Sequence, residues 1–244
     1  MPPMPHHINR LYHLTQFMGK KIQIFYHIFL INNWVNIVKE QIESLTNSGL
    51  LEVSTLNIGV FFDKKIDNEE ETLMELLLKI PSLNLMFINE NNSFGESKTL
   101  SKLKEFSMSD NDNTNILYLH TKGVTQYESI REKPVKEWRL MMEHFLITNW
   151  KICVETLDNG FDCCGINYQD HAGNVRGKTK LIQIFNGNFF WTKSNYVKKL
   201  DESILFEHRY SSENWILSSE HKVHSFLNVP PIFNLYYNIY ENYK

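Results

Sequence analysis

Long apolar runs are missing from this chain: nowhere do the ~20 consecutive apolar residues of a membrane span occur, and the opening MPPMPHHINRLYHL has no basic stretch leading into an apolar one. Neither a spanning segment nor a secretory leader is expected. Cysteine is scarce too. The three present, Cys153, Cys163 and Cys164, form an odd set whose last two members are adjacent, which excludes a disulfide framework and fits a reducing compartment, the cytoplasm. Ten glycines and seven prolines are too few and too scattered to form a linker, and no internal repeat is visible. Charge of one sign is lacking as well: the formal net charge is -3 with no basic cluster, so nucleic acid is excluded as an expected partner.

What the chain does hold is enough apolar material for a packed interior, 42% hydrophobic and 13% aromatic in 244 residues, a length that one core can support. KIQIFYHIFL (21–30) reads as a strand, and NNWVNIVKEQIESLTNSGL as a helix burying Trp34, Ile37, Val38, Ile42 and Leu45, with Asn32 or Asn33 as its cap and Gly49 as its stop. STLNIGVFF (54–62) and LNLMFINE (83–90) are further strands, separated by a helix over 69–80, and a short helix around 98–106 leads through the polar loop SMSDNDNTN to NILYLHTKGVT (115–125). Strands alternating with helices predict an α/β fold with a largely parallel sheet flanked by helices. Beyond it, 134–157 reads as one long amphipathic helix, FDCCGINY as a strand with its cysteines as small core residues, QDHAGNVRGKTK as a loop, and IFNGNFFWT as a turn entering a strand. Short helices near SNYVKKL and SSENWILSS precede a last strand, HKVHSFL.

In ILYLHTKG an apolar run stops abruptly at His120, Thr121, Lys122 and Gly123. Open parallel sheets bind ligands beyond the carboxyl ends of their strands, so these groups stand where a site is expected. Lys122 can neutralise phosphate oxygens, His120 can donate or accept near neutrality, and Gly123 lets the backbone turn closely beneath a ligand. The competing reading has His120 and Thr121 closing a turn with Lys122 in solvent.

ILYLHTKG, the Trp138-Arg139 pair, GNFFW (187–191) and SENWI (212–216) together resemble nucleotide-sugar glycosyltransferases, in particular the rhamnan-synthesis F-like family and related bacterial and large-DNA-virus enzymes. The resemblance spans roughly 20–228. It implies a GT-A-like, Rossmann-like domain over 21–228, with 1–20 as an N-terminal extension and 229–244 as a Tyr-rich tail that packs on the domain or on a partner, as in a homodimer. It further implies a hexosyl- or deoxyhexosyltransferase of the cytoplasm, or of the host cytoplasm for a viral protein, with a nucleoside-diphosphate sugar as donor and a glycan or glycoprotein as acceptor. A catalytically silent sugar-nucleotide or glycan-binding module of the same fold is the alternative.

Such enzymes commonly hold a divalent metal, Mn²⁺ or Mg²⁺, on Asp-x-Asp after the central strand. Here His120-Thr121-Lys122 occupies that place, so no metal ligand set is assigned and Lys122, helped by Arg139 or Arg209, is expected to replace part of the cation's charge. Asp110-Asn111-Asp112 has the right spelling but precedes the strand, and is expected at the far edge of the sheet. The resemblance also implies Glu213 as the base that deprotonates the acceptor, with Asp170 as its rival, Asn188 beside the donor sugar, and Tyr26 and His27 beside the nucleobase. Trp191 is a candidate stacking face against a core reading, and His221 and His224 are read as ordinary histidines.

Overall fold

The computed structural model describes residues 21–62, 69–90, 95–175, 178–208 and 210–228. The extension 1–20, the tail 229–244 and Arg209 lie outside the described residues. The first half alternates as expected: β1 (Ile22–Leu30), α1 (Trp34–Asn47), β2 (Thr55–Phe62), α2 (Glu69–Leu77), β3 (Leu83–Glu90), α3 (Ser97–Ser109) and β4 (Asn115–His120). The second half holds α4 (Glu132–Glu143), α5 (Trp150–Asp158), β5 (Cys163–Gly165), β6 (Tyr168–Val175), β7 (Lys178–Phe185), β8 (Phe190–Lys193), α6 (Ser194–Val197), α7 (Ser211–Trp215) and β9 (Val223–Ser225).

Seven strands form one sheet in the order β3-β2-β1-β4-β8-β5-β9. The pairs β1·β2, β2·β3, β1·β4 and β5·β9 are parallel, while β8 runs antiparallel to both its neighbours. This is an α/β fold with a mostly parallel central sheet flanked by helices. Strands buried on both faces need apolar side chains at every position, which is why β1 and β4 read as continuous apolar runs. Their alternation feeds two cores. Ile24, Tyr26, Ile28, Leu117 and Leu119 pack with Trp34, Ile37 and Val38 of α1 and Trp150 and Cys153 of α5. Phe25, Ile116 and Tyr118 pack on the other face with Leu100 and Leu103 of α3 and Trp215 of α7.

Four expectations are corrected. The long helix over 134–157 is two helices, parted by a π-helical turn at His144–Thr148 and by Asn149, whose side-chain amide donates to the His144 carbonyl at 2.8 Å. The segment assigned to a loop after residue 168 is the antiparallel hairpin β6–β7, paired from Tyr168↔Phe185 to Val175↔Lys178. The helix around 98–106 runs on to Ser109 and takes up the start of the polar loop. Asn33 holds the position before α1 without a side-chain cap, and Asn32, at φ 55°, instead donates to the Val124 carbonyl at 2.7 Å.

A π-helical turn leaves carbonyls without their usual helical donors. Trp191 supplies one: its fully buried indole N–H donates to the Leu146 carbonyl at 2.8 Å, while its strand pairs with Leu117 of β4 and Cys164 of β5. Trp191 is thus core and offers no stacking face. Trp191→Ala should cost about 3–5 kcal/mol of stability in urea unfolding, and Trp191→Phe, which removes mainly the hydrogen bond, about 1–3 kcal/mol. Equal losses for the two would show that the indole N–H contributes nothing.

Candidate functional site

From β1 the chain winds outward to β2 and β3, then returns to the opposite side of β1 to form β4. The connections therefore diverge at the carboxyl ends of β1 and β4 and leave a crevice there. His27 and His120 face one another in register across this junction. Thr121 ties the strand ends together: its N–H donates to the His27 carbonyl at 3.1 Å and its hydroxyl accepts from the Phe29 N–H at 3.0 Å. Gly123 then turns the chain at φ 104°, where an added Cβ would stand 3.3 Å from Val135 Cγ1.

Beside the junction lies a polar cluster on the α3 face of the sheet. Glu96, which follows Gly95 at φ 54° and precedes α3, accepts from the Tyr118 hydroxyl at 2.7 Å and from Asn188 Nδ2 at 2.6 Å, and lies 3.6 Å from His120 Nδ1. His120 Nε2 meets the Gly187 carbonyl at 3.0 Å, and because that carbonyl only accepts, Nε2 carries the proton. His27 Nδ1 meets the Thr99 hydroxyl at 3.0 Å, with the ring against Phe61. Burial lowers the pKa of both histidines, that of His27 to about 4, against the pull of Glu96. Burial also opposes the charge of Glu96, but the fields of His120 and His27, the Tyr118 hydrogen bond and Lys122 outweigh it and hold its carboxyl below the ordinary range. At neutral pH the cluster is a carboxylate between two neutral imidazoles.

Glu213, in the first turn of α7, faces the same field. Burial raises its pKa, and the Glu96 charge adds to this while Lys122 works against it. Lys122 is thus in electrostatic reach of both acids, while His120 and Asn188 lie directly against Glu96. Sequence reasoning missed Glu96. A glycine followed by an acid at a helix start was its only local signal.

On the α1 face, Arg139 is almost wholly buried, giving Nη1 to Glu143 at 2.8 Å and Nη2 to Glu40. It lines a cleft of about 310 Å³ with Lys122, Gly123, Lys136 and Glu40. Tyr26 is corrected: it has no exposed surface and its hydroxyl donates to Gln41, so it cannot stack on a nucleobase. His27 points to the opposite face and is buried too. Asp170 is exposed on β6 opposite Gln183, and no hydrogen bond or ion pair among the described residues links it to Glu96, His120 or Lys122. Asp110 accepts from the Thr114 N–H at 2.9 Å and from the Ser194 hydroxyl, and Asp112 pairs with Lys21, which places both at the amino ends of β1 and β4, away from the crevice. His221 Nδ1 meets the Ser219 carbonyl, and His224 packs between Phe161 and Phe226.

Among the described residues no three His, Cys, Asp or Glu side chains converge to hold a metal, and the Glu96 carboxylate takes donors from Tyr118 and Asn188.

A family model described as Domain of unknown function (DUF8361) matches residues 25–229. No curated protein matches the chain. Among solved structures, similarity is found to a protein of Desulfovibrio desulfuricans G20 assigned as a nucleotide-diphospho-sugar transferase, at 6% identity over 85% of this chain and 80% of that one, with a TM-score of 0.38. A 4-diphosphocytidyl-2C-methyl-D-erythritol synthase is similar at 10% identity over 86% and 88% of the two chains, with a TM-score of 0.38. TarS of S. aureus, residues 1–349, is similar at 10% identity over 84% of this chain and 60% of that one, with a TM-score of 0.37.

The neutral His27 has a pH consequence. Its folded pKa of about 4 lies below the ordinary 6.5, so its contribution is complete above pH 6.5 and is lost as pH falls toward 4. The shift corresponds to about 3 kcal/mol. Urea unfolding at pH 7.5 and pH 4 should show His27→Gln losing less stability than wild type by about that amount. Parallel losses would show that His27 does not titrate in this window.

Proposed function

We infer that this chain, which belongs to the family described as Domain of unknown function (DUF8361), transfers a sugar from a nucleoside-diphosphate sugar to a glycan or protein-linked acceptor. The observation that supports this best is the charge placement past the end of β4: Lys122 acts electrostatically on both Glu96 and Glu213, and the half-buried Glu96 accepts from Tyr118 and Asn188. The resemblance of ILYLHTKG, GNFFW and SENWI to the rhamnan-synthesis F-like glycosyltransferases points the same way.

In this reading the bond between the anomeric carbon and the diphosphate oxygen breaks, and the acceptor oxygen bonds to that carbon. Negative charge grows on the departing diphosphate, where the Lys122 ammonium neutralises it. The acceptor's proton passes to Glu213, whose raised pKa makes it a better base than an ordinary surface carboxylate. Glu96 is a positioning residue: its charge faces Lys122 and lifts Glu213. Asn188, buried and held to Glu96 through its amide nitrogen, keeps Oδ1 buried and unpartnered among the described residues.

Thermal-shift measurements with UDP, GDP and TDP sugars, with and without Mn²⁺, should show stabilisation by one nucleotide class, since a ligand that binds only the native state raises its apparent stability. Donor hydrolysis in the same samples should fall about 10²–10³-fold in Lys122→Ala and about 10²–10⁴-fold in Glu213→Gln. Near-full turnover by Glu213→Gln would remove that residue from the mechanism. Stabilisation without hydrolysis would mark a silent sugar-nucleotide-binding module, and no stabilisation by any nucleotide would sink both.

A further inference from the structure

The cleft between α1 and α4 is basic on a chain that is acidic overall. Lys39, Lys122, Lys136 and Arg139 line it against only two carboxylates, Glu40 and Glu132, whereas the whole chain carries -3. Its cations are not equally committed. Arg139 is buried against Glu143, which is itself buried, and the 2.8 Å bond between them already gives the guanidinium a counterion from its own helix. Glu40 is a second carboxylate on the same guanidinium, and it stands at the solvent edge with 36% of its side chain exposed. One of its oxygens meets Arg139 Nη2 and the other accepts from Lys136 Nζ at 2.7 Å. Arg139 Nε, also buried, has no hydrogen-bond partner among the described residues.

Two donors from different side chains thus close on two oxygens of a single anionic group whose side chain is 36% exposed. A phosphate presents the same pair of oxygens with more charge, and Arg and Lys bind it by the same contacts. Without Glu40 the cluster of Arg139, Lys136 and Glu143 carries a net positive charge and two open donors in a cleft of about 310 Å³. At the mouth of that cleft Tyr127 offers a ring with 43% of the residue exposed.

We propose that Glu40 is an internal competitor for a diphosphate: the phosphate oxygens take the Lys136 and Arg139 donors that Glu40 holds, and Glu40 swings out to solvent as they bind. For its ligand, a nucleoside diphosphate whose base covers Tyr127, the proposal rests on the transfer reading above. The Glu40 contacts and ligand binding then exclude one another, and removing Glu40 raises affinity within the 5–150-fold range that such couplings span.

Calorimetric titration of the full chain with inorganic pyrophosphate and with UDP tests this. Glu40→Gln should bind pyrophosphate about tenfold more tightly than wild type. Lys136→Ala, at a side chain 52% exposed and so safe for folding, should weaken pyrophosphate binding and flatten its salt dependence. Tyr127→Ala should weaken UDP and leave pyrophosphate unchanged. Unchanged or weaker pyrophosphate binding by a folded Glu40→Gln overturns the proposal, and so does unchanged binding by Lys136→Ala if Glu40→Gln fails to fold. The two readings fail separately. Donor hydrolysis with no effect of Glu40 or Lys136 on pyrophosphate removes the cleft site and leaves the transfer, whereas the expected affinities without hydrolysis remove the transfer and leave the site.

Discussion

Withdrawing most of the Glu96 carboxylate from water at the end of a parallel sheet would be costly without donors, and the surrounding architecture supplies them. Tyr118 donates to it from β4 and Asn188 from the turn before β8, while His120 lies 3.6 Å away at the tip of β4. Those contacts hold the central strand, the antiparallel strand beside it and the start of α3 in one arrangement. They also set the field in which Lys122 and Glu213 sit. Exchanging Glu96 for an apolar side chain would therefore act twice, orphaning the Asn188 amide and the Tyr118 hydroxyl, and taking away the charge that lifts Glu213.

Strands β1, β2 and β4 were legible because a parallel sheet covered on both faces writes itself as apolar runs bounded by turn residues. The same feature hid which way each side chain points. In an unbroken run the two-residue period leaves no trace, so Tyr26 and His27 look equivalent, yet the pleat sends one to Gln41 under α1 and the other to Thr99 under α3. Lys122 was legible since polarity appears abruptly at a strand tip. Glu96 was not, because an acid at a helix start is explained well enough by the helix dipole, and its partners Tyr118 and Asn188 lie 22 and 92 residues away.

The two misread elements fail for a related reason. Trp138, Met142, Trp150, Cys153 and Leu157 follow helical spacing on both sides of the π-helical turn, so pattern alone offers no break. The hairpin β6–β7 is rich in polar residues and lacks the apolar alternation that marks a half-buried strand, and its pairing is local to its own two strands.

The π-helical turn at His144–Thr148 acts as a phase adjuster. Successive α-helical residues advance by about 100° around the axis, so the extra residue accommodated there sets the angular offset between the helix that carries Arg139 and the one that carries Trp150. Shortening the turn by a single residue would leave both segments helical, but would swing Trp150 and Cys153 out of the sheet's core or Arg139 away from Glu40. Length in this stretch is thus constrained more tightly than residue identity, and drift among related chains should favour exchanges over gaps.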